Sequence, residues 1–223
     1  MCIRDRDSTG RRTSEPEKWL AEDVEAPASA ALRRMLADSS HIGVEDKLYL
    51  AQYIVYLHSQ APAHRATVET AVGETAERMN ADVPVGARTE IAKTSSLQAT
   101  FALQEQSELL VDMYRWKLAR LQHKSLLLGD RPVVLENPTP GHIYGVGIFT
   151  ASRTILAVDR RHLLILDRSE DQIAKEDRHQ QLDPVKLNFR QIEAANKSAL
   201  GSSNFVYHHP ADTGSTIPGL ARA

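Results

Sequence analysis

The sequence has very little cysteine and no long apolar run. Cys2 is its one cysteine among 223 residues, which excludes an internal disulfide and a cysteine-based zinc site. No apolar stretch approaches the roughly 18 residues that a membrane-spanning helix needs. The first six residues, MCIRDR, lack the apolar centre of a secretion signal. We therefore expect a cytoplasmic protein that does not enter a membrane.

An excess of one charge sign is also missing. The chain has 27 Lys and Arg against 29 Asp and Glu, which gives a net charge of −2 at pH 7. Because nucleic-acid-binding domains carry a basic excess or patch, the composition gives no strong nucleic-acid signal and leaves the partner unknown. The histidines at 142, 162, 208 and 209 include no pair with the helical spacing of zinc ligands. The sequence thus predicts neither a metal site nor a cofactor.

The N-terminal segment differs from the rest of the chain. Its first six residues resemble the peptide that results when sequencing-adapter DNA is translated at the broken end of an assembled read. The alternative to such an artefact is an ordinary disordered arm. We expect residues 1–13 to be disordered or artefactual and the chain to be an N-terminally truncated fragment. Residues 14–209 are predicted to form a single α+β domain, followed by a disordered tail at 210–223.

Apolar residues in the N-terminal half have the spacing of α-helices. Ser14 stands three residues before Glu17, which is capping-box spacing and predicts a helix start. The most apolar helix, from residue 43 to 57, has apolar side chains on more than one face and is expected to be buried. A longer helical stretch is predicted over 88–116, and the segment from Trp116 onward can also be read as a strand.

The C-terminal half has short apolar runs bounded by turn residues, which predict strands. We place the centre of the fold at 125–134, where a leucine run turns at Gly-Asp and restarts after Pro132. The runs at 155–158 and 163–166 flank a four-residue turn and predict a hairpin. Both runs are apolar at every position, which is typical of strands covered on both faces.

The final predicted helix completes the fold. Asp183 as a cap and Pro184 after it predict a helix that ends at Gly201. The predicted fold class is α+β, with an N-terminal helical layer packed on a small buried β-sheet formed by the C-terminal half. The sheet is predicted from four segments, around Leu126, Val133, Ile155 and Leu163.

Asp130 is the best single candidate for chemistry. An acid next to a glycine, at the mouth of a buried strand, is where many folds display reactive groups. The alternative is structural, because an Asp in such a turn accepts hydrogen bonds from nearby backbone N–H groups. His142 lies among glycines, in a setting that suits a general base or an ordinary surface loop. Asp130 and His142 are therefore the catalytic candidates.

Other polar residues have two interpretations each. Arg160 and Arg161, at the predicted hairpin turn, suit an anion site or a solvated tip. Asn188 and Asn196, assigned to the interior of the final helix, are either buried hydrogen-bonding links or exposed side chains. The Gly-Val-Gly sequence at 145–147 lies near no helix start, which argues against a phosphate-binding loop.

The order of these segments resembles a bacterial family known as domain of unknown function 4238. That family has a Trp-x-Leu segment and then an apolar strand ending in Ser/Thr-Asp-x-Pro-Val. Here residues 116–118 are Trp-Lys-Leu and residues 128–133 are Leu-Gly-Asp-Arg-Pro-Val. The hairpin at 155–166, the Leu-Asn pair at 187–188 and the aromatic segment at 204–207 are similar as well. The resemblance covers about 43–209 and implies a fold but no activity.

The chain departs from that family's pattern at three places. Gly129 replaces the usual hydroxyl residue, which weakens the idea of a catalytic Ser/Thr-Asp pair. Gln-Ala-Pro at 60–62 stands where the family has an Arg-Thr-Pro-like motif. The family's His-Tyr-x-Pro motif is missing from the N-terminal end, which is consistent with truncation.

The sequence contains no constellation of paired catalytic groups. We therefore expect a non-catalytic or accessory intracellular domain for binding or interaction, with the question of enzymatic activity left open. The alternative is a hydrolase, conceivably acting on nucleic acid, that uses Asp130 and His142 together with the missing N-terminal histidine. A defence or toxin-related module is a third interpretation, by analogy alone.

Overall fold

The computed structural model describes residues 5–6, 12–13, 18–38, 42–101, 103–122, 124–136, 147–148, 150–169, 182–202 and 206–207. A π-helical segment, Leu20–Glu25, leads into the first α-helix. The helices are α1 Ala26–Ala37, α2 Val44–Gln60, α3 Pro62–Arg78, α4 Val85–Phe101, α5 Leu103–Met113 and α6 Phe189–Ser202. The strands are β1 Asp5–Arg6, β2 Arg12–Thr13, β3 Tyr114–Arg120, β4 Leu128–Gly129, β5 Val133–Glu136, β6 Arg153–Ala157, β7 His162–Arg168, β8 Asp183–Val185 and β9 Val206–Tyr207.

Helix α2 is the centre of the helical layer. Glu45 and Asp46 occupy its first turn, where carboxylates interact favourably with the helix dipole. The guanidinium of Arg34 binds Asp46 and ties α1 to α2. Helix α2 packs against both α1 and α5. Its most buried apolar residues are Leu50, Ala51, Ile54 and Val55. The prediction that this helix is buried is confirmed.

Helix α5 passes directly into strand β3. The helix ends at Met113 and the strand begins at Tyr114, so the predicted helix to Trp116 is too long and the strand interpretation is correct. The Tyr114 hydroxyl lies 2.8 Å from the carbonyl oxygen of Ile148 and donates to it. The Trp116 indole donates to the Leu110 carbonyl at 3.2 Å. Both rings turn toward the helices, since side chains alternate along a strand.

The central sheet contains five strands in the order β5-β6-β7-β3-β8. Neighbouring strands are antiparallel except β3 and β8, which run parallel. The predicted hairpin is formed by β6 and β7, with Ala157 paired to Leu163. The segments around Val133, Ile155 and Leu163 therefore belong to the sheet, as predicted, and the α+β fold class is confirmed.

The Leu126 segment is not a strand of this sheet, so that part of the prediction is wrong. Leu126 and Leu127 are 2% and 3% exposed, but they lie in a loop. The Leu126 N–H donates to the Arg160 carbonyl at 2.9 Å. Only Leu128–Gly129 pairs as a strand, with β9 in a separate two-stranded sheet. An apolar run demands burial rather than strand geometry, and β3 occupies the position beside β7.

The final helix begins later than predicted. Asp183–Val185 is β8, and α6 begins at Phe189. Asn188 precedes the helix instead of lying inside it. Its Oδ1 accepts the Gln191 N–H at 3.0 Å, and Gln191 Oε1 accepts the Asn188 N–H at 2.9 Å. This reciprocal pair is a capping box, whereas the Asp-Pro pair at 183–184 only imitates a helix start.

The two faces of the sheet form separate cores, as predicted for strands covered on both sides. The core facing the helical layer includes Tyr114, Trp116, Leu118, Val133, Leu156, Leu164 and Leu166. The core on the opposite face includes Ala119, Leu121, Leu126, Leu163, Ile165 and Ile192. Strand β3 contributes to both cores, because its alternate side chains point to opposite faces. The helical layer and α6 therefore sandwich the sheet.

The predicted domain boundaries stay predictions. Strands β1 and β2 pair within the segment 1–13, while the rest of that segment and the tail at 210–223 lie outside the described residues. The predicted helix start at Ser14 also lies outside them. Across the part of the chain that is described, no helix has the length and apolar character needed to cross a membrane.

Candidate functional site

A cleft lies between the sheet face that carries Leu163 and Ile165, the loop at 126–132, and helix α6. Its volume is about 450 Å³, which falls within the range of roughly 300–1,000 Å³ of small-molecule sites. Ile155 and Ala157 of β6 complete an apolar floor. The cleft thus has the size and lining of a ligand site.

The cleft exists because α6 presents small side chains to the sheet. Ala194, Ala195 and Ala199 line it, and they recur at helical spacing. Nearby, the larger Ile192 points into the core beside Leu121. A packed protein interior leaves few voids larger than a water molecule. The alanines of α6 that face the sheet therefore leave a space that larger side chains at the same positions would fill.

A row of four charged side chains crosses one end of the cleft, on four adjacent strands. Glu136 on β5 lies 3.2 Å from the Arg153 guanidinium on β6. Arg153 Nε donates to Asp167 Oδ1 on β7 at 2.5 Å, and Lys117 Nζ on β3 donates to Asp167 Oδ2 at 2.8 Å. Burial alone would raise the pKa of Asp167, but hydrogen bonds from Lys117 and Arg153 hold it below its ordinary value. The row is electrically balanced.

Asn196 fixes the loop that forms the roof of the cleft. It is 1% exposed, its Oδ1 accepts the Leu127 N–H at 2.9 Å, and its Nδ2 donates to the Ser125 carbonyl at 3.1 Å. These bonds satisfy two backbone groups of a loop that belongs to no sheet at that point. Of the two interpretations of Asn196, the buried hydrogen-bonding link is confirmed.

The hairpin turn between β6 and β7 is held by its own side chains. The Asp159 carboxylate accepts the N–H groups of Arg161 at 2.6 Å and His162 at 2.8 Å. The Arg161 guanidinium donates to the carbonyl oxygens of Gln122 at 2.9 Å and Lys124 at 3.0 Å. Arg161 therefore links the turn to the loop after β3. Its guanidinium is used in these hydrogen bonds, so neither of the two interpretations, an anion site or a solvated tip, fits it.

Two histidines that the sequence reasoning missed lie together at the junction of α2 and α3. The ring centroids of His58 and His64 are 5.0 Å apart. Burial, the neighbouring ring and the Arg131 guanidinium together lower the pKa of His58 to about 4. The pKa of His64 is also lowered, first by burial and then by the positive charges of Arg131 and Arg65. Both rings are therefore neutral at neutral pH.

A family model described as protein of unknown function (DUF4238) matches residues 4–212. The chain belongs to the DUF4238 family. The resemblance inferred from 43–209 is thereby confirmed over a longer range. Neither the curated proteins nor the solved structures include a match to this chain.

The motif residues of this DUF4238 chain lie at the cleft and beside it. Trp116 belongs to the core under β3, and Lys117 next to it points to the charged row. The Gly-Asp-Arg-Pro segment at 129–132 forms part of the roof, where Gly129, Arg131 and Pro132 line the cleft. Part of the segment that carries the family resemblance thus shapes this cleft.

The catalytic candidates of the DUF4238 chain are not brought together by any described contact. Asp130 is half-buried between two residues that line the cleft. His142 lies outside the described residues, as do Gly145, His208 and His209. The pair Asp130 and His142 therefore stays a prediction. Among the described side chains, no group of three or more His, Cys, Asp or Glu could hold a metal ion.

Sequence reasoning could not find this cleft, because its parts come from distant segments. Lys117, Asp167 and Glu136 become neighbours only through the strand order of the sheet. One signal was present: the alanines of α6 recur at 194, 195 and 199, on the face that a packed helix fills with larger side chains.

Proposed function

We propose that this DUF4238 chain is a non-catalytic binding domain whose cleft holds a small ligand with an apolar body. The observation that carries the proposal is the cleft of about 450 Å³ between the alanines of α6 and an apolar sheet face. Apolar pockets with a few fixed polar groups are typical of small-molecule sites. We place this binding in the cytoplasm, since a lone cysteine fits a reducing compartment.

The chemical character of the walls supports binding rather than catalysis. Among the described residues, the side chains that line the cleft include no Ser, Thr, Cys, His or Tyr. Nucleophilic and general base catalysis draw mainly on those residue types and on carboxylates. The two lining carboxylates, Glu136 and Asp167, are both held in ion pairs with Arg153. Positioning of a ligand is the role that these groups suit best.

Filling the cleft tests the proposal. The uncharged dye N-phenyl-1-naphthylamine fluoresces in apolar sites, and we expect it to bind the unaltered chain saturably, one molecule per chain. Ala195→Phe should weaken that binding roughly tenfold or more, because an added ring occupies the space of the dye. Ala71→Phe places the same ring on the exposed surface of α3 and should leave the affinity unchanged. Equal binding by both variants would contradict the proposal.

A hydrolase is the second candidate, and the position of Asp130 beside the cleft is the observation that favours it. In this proposal Asp130 and His142 act on a bound substrate, conceivably nucleic acid. The test is incubation of the full chain with labelled single-stranded and double-stranded oligonucleotides, in parallel with Asp130→Asn. Cleavage that disappears in the Asn variant would support a hydrolase, and cleavage that persists unchanged, or no cleavage at all, would count against it.

A further inference from the structure

Among the described side chains that line the cleft, Arg131 is the cation for which no carboxylate partner is found. It is half-buried and lines the cleft where the 126–132 loop forms the roof. Within the described ranges, Arg131 makes no ion pair and no side-chain hydrogen bond. Lys117 and Arg153, by contrast, are both paired with Asp167. Because the charged row is balanced, Arg131 gives the described side chains that line the cleft a net positive charge.

Arg131 is one of the groups that act on the two histidines at the junction of α2 and α3. The groups that act on His58 and His64 are the two rings themselves and the guanidinium groups of Arg131 and Arg65. The Nδ1 atom of His58 is buried and has no hydrogen-bond partner among the described residues. A buried polar atom without a partner costs free energy, and among the described residues no carboxylate is a cause of either pKa shift.

We propose that Arg131 is an anion subsite that holds the acidic head group of the ligand in the cleft. This inference rests on the proposed binding function and specifies the ligand class, an apolar body that carries a carboxylate, sulfonate or phosphate. A guanidinium presents N–H donors in a fixed fork that suits such oxygen anions. The apolar floor accommodates the body of the same molecule.

A matched pair of dyes separates the head group from the body. 8-Anilino-1-naphthalenesulfonate has the frame of N-phenyl-1-naphthylamine plus one sulfonate. We expect the unaltered chain to bind the sulfonated dye roughly tenfold more tightly, which is the effect of a charge-assisted hydrogen bond. Arg131→Gln should reduce the affinity for the sulfonated dye to that for the uncharged one, and Arg131→Lys should retain part of the preference. Arg33→Gln removes the same charge from the exposed surface of α1 and should change neither affinity.

The outcomes distinguish the two proposals. If the uncharged dye binds and Ala195→Phe weakens it, but the sulfonate gives no advantage or Arg131→Gln leaves that advantage intact, the subsite is wrong and the binding function stands. If neither dye binds, the binding function fails and the subsite fails with it. Unchanged affinity of Arg131→Gln for the uncharged dye shows that this variant folds. Displacement of the sulfonated dye by octanoate or octyl phosphate, but not by octanol, is the expected result in competition, and equal displacement by octanol would overturn the subsite.

Discussion

Protonation of His58 should destabilise the folded chain as the pH falls. The pKa of His58 is lowered from 6.5 to about 4, first by burial and then by His64 and Arg131. The unfolded chain therefore binds a proton at this position before the folded chain does. The contribution of His58 to stability is fully present above pH 6.5 and is lost progressively as the pH falls toward 4.

The size of this loss follows from the two pKa values. Each tenfold change in proton affinity corresponds to about 1.36 kcal/mol, so the drop from 6.5 to about 4 is worth about 3 kcal/mol once both states are protonated. At pH 5 the unfolded form is largely protonated and the folded form largely neutral, which gives a loss of about 2 kcal/mol relative to pH 8. Against a typical domain stability of about 5–15 kcal/mol, this loss is measurable.

Urea unfolding at pH 8 and pH 5 measures the effect. The free energy of unfolding of the unaltered chain should fall between the two pH values by about 2 kcal/mol more than that of His58→Gln, which keeps every other titrating group. Val55→Ala, on the same helix and 2% exposed, lowers stability without removing a titrating group and should retain the full pH dependence. Equal pH dependence in the unaltered chain and His58→Gln would refute the reasoning.

Three further substitutions test the packing and the hydrogen bonds. Asn196→Ala removes both bonds to the roof loop and should cost about 1–3 kcal/mol in urea unfolding; a loss below 0.5 kcal/mol would mean that the loop finds other partners. Tyr114→Phe removes the buried hydroxyl that lies within hydrogen-bond distance of the Ile148 and Ala151 carbonyl oxygens and should cost about 1–2 kcal/mol in the same assay. Leu164→Ala, at a position that is 0% exposed, should cost about 2–5 kcal/mol. The control Leu109→Ala, at a position that is 45% exposed, should cost much less. Similar losses in the two variants would contradict the assignment of the core.

Local patterns were sufficient for much of the fold. The hairpin was predictable because both of its strands are continuous apolar runs around a turn rich in charge. The burial of α2 followed from apolar side chains on more than one face. The position of the Leu126 run was not predictable, since burial alone does not distinguish a strand from a loop that is packed against one. Hydrogen bonds from Asn196 hold the Leu126 run in position, and they join residues that are far apart in sequence, such as Ser125 and Asn196.

The candidate site was less accessible to sequence reasoning than the fold. The position of Asp130 in a turn next to a glycine makes it a candidate from sequence, whereas the structure places its neighbour Arg131 in the cleft wall. The charged row depends on the pairing of strands that are far apart in sequence, such as the pairing of β3 with β7 that brings Lys117 to Asp167. No local pattern encodes that pairing, because cross-strand partners are determined by topology and register.

The direct passage from α5 into β3 has a mechanical consequence. A junction without a connecting loop leaves no slack, so a tilt of the helix at Met113 must be transmitted to Tyr114 and along the strand that contains Lys117. A displacement of the helical layer is therefore expected to reach the charged end of the cleft on the opposite face of the sheet.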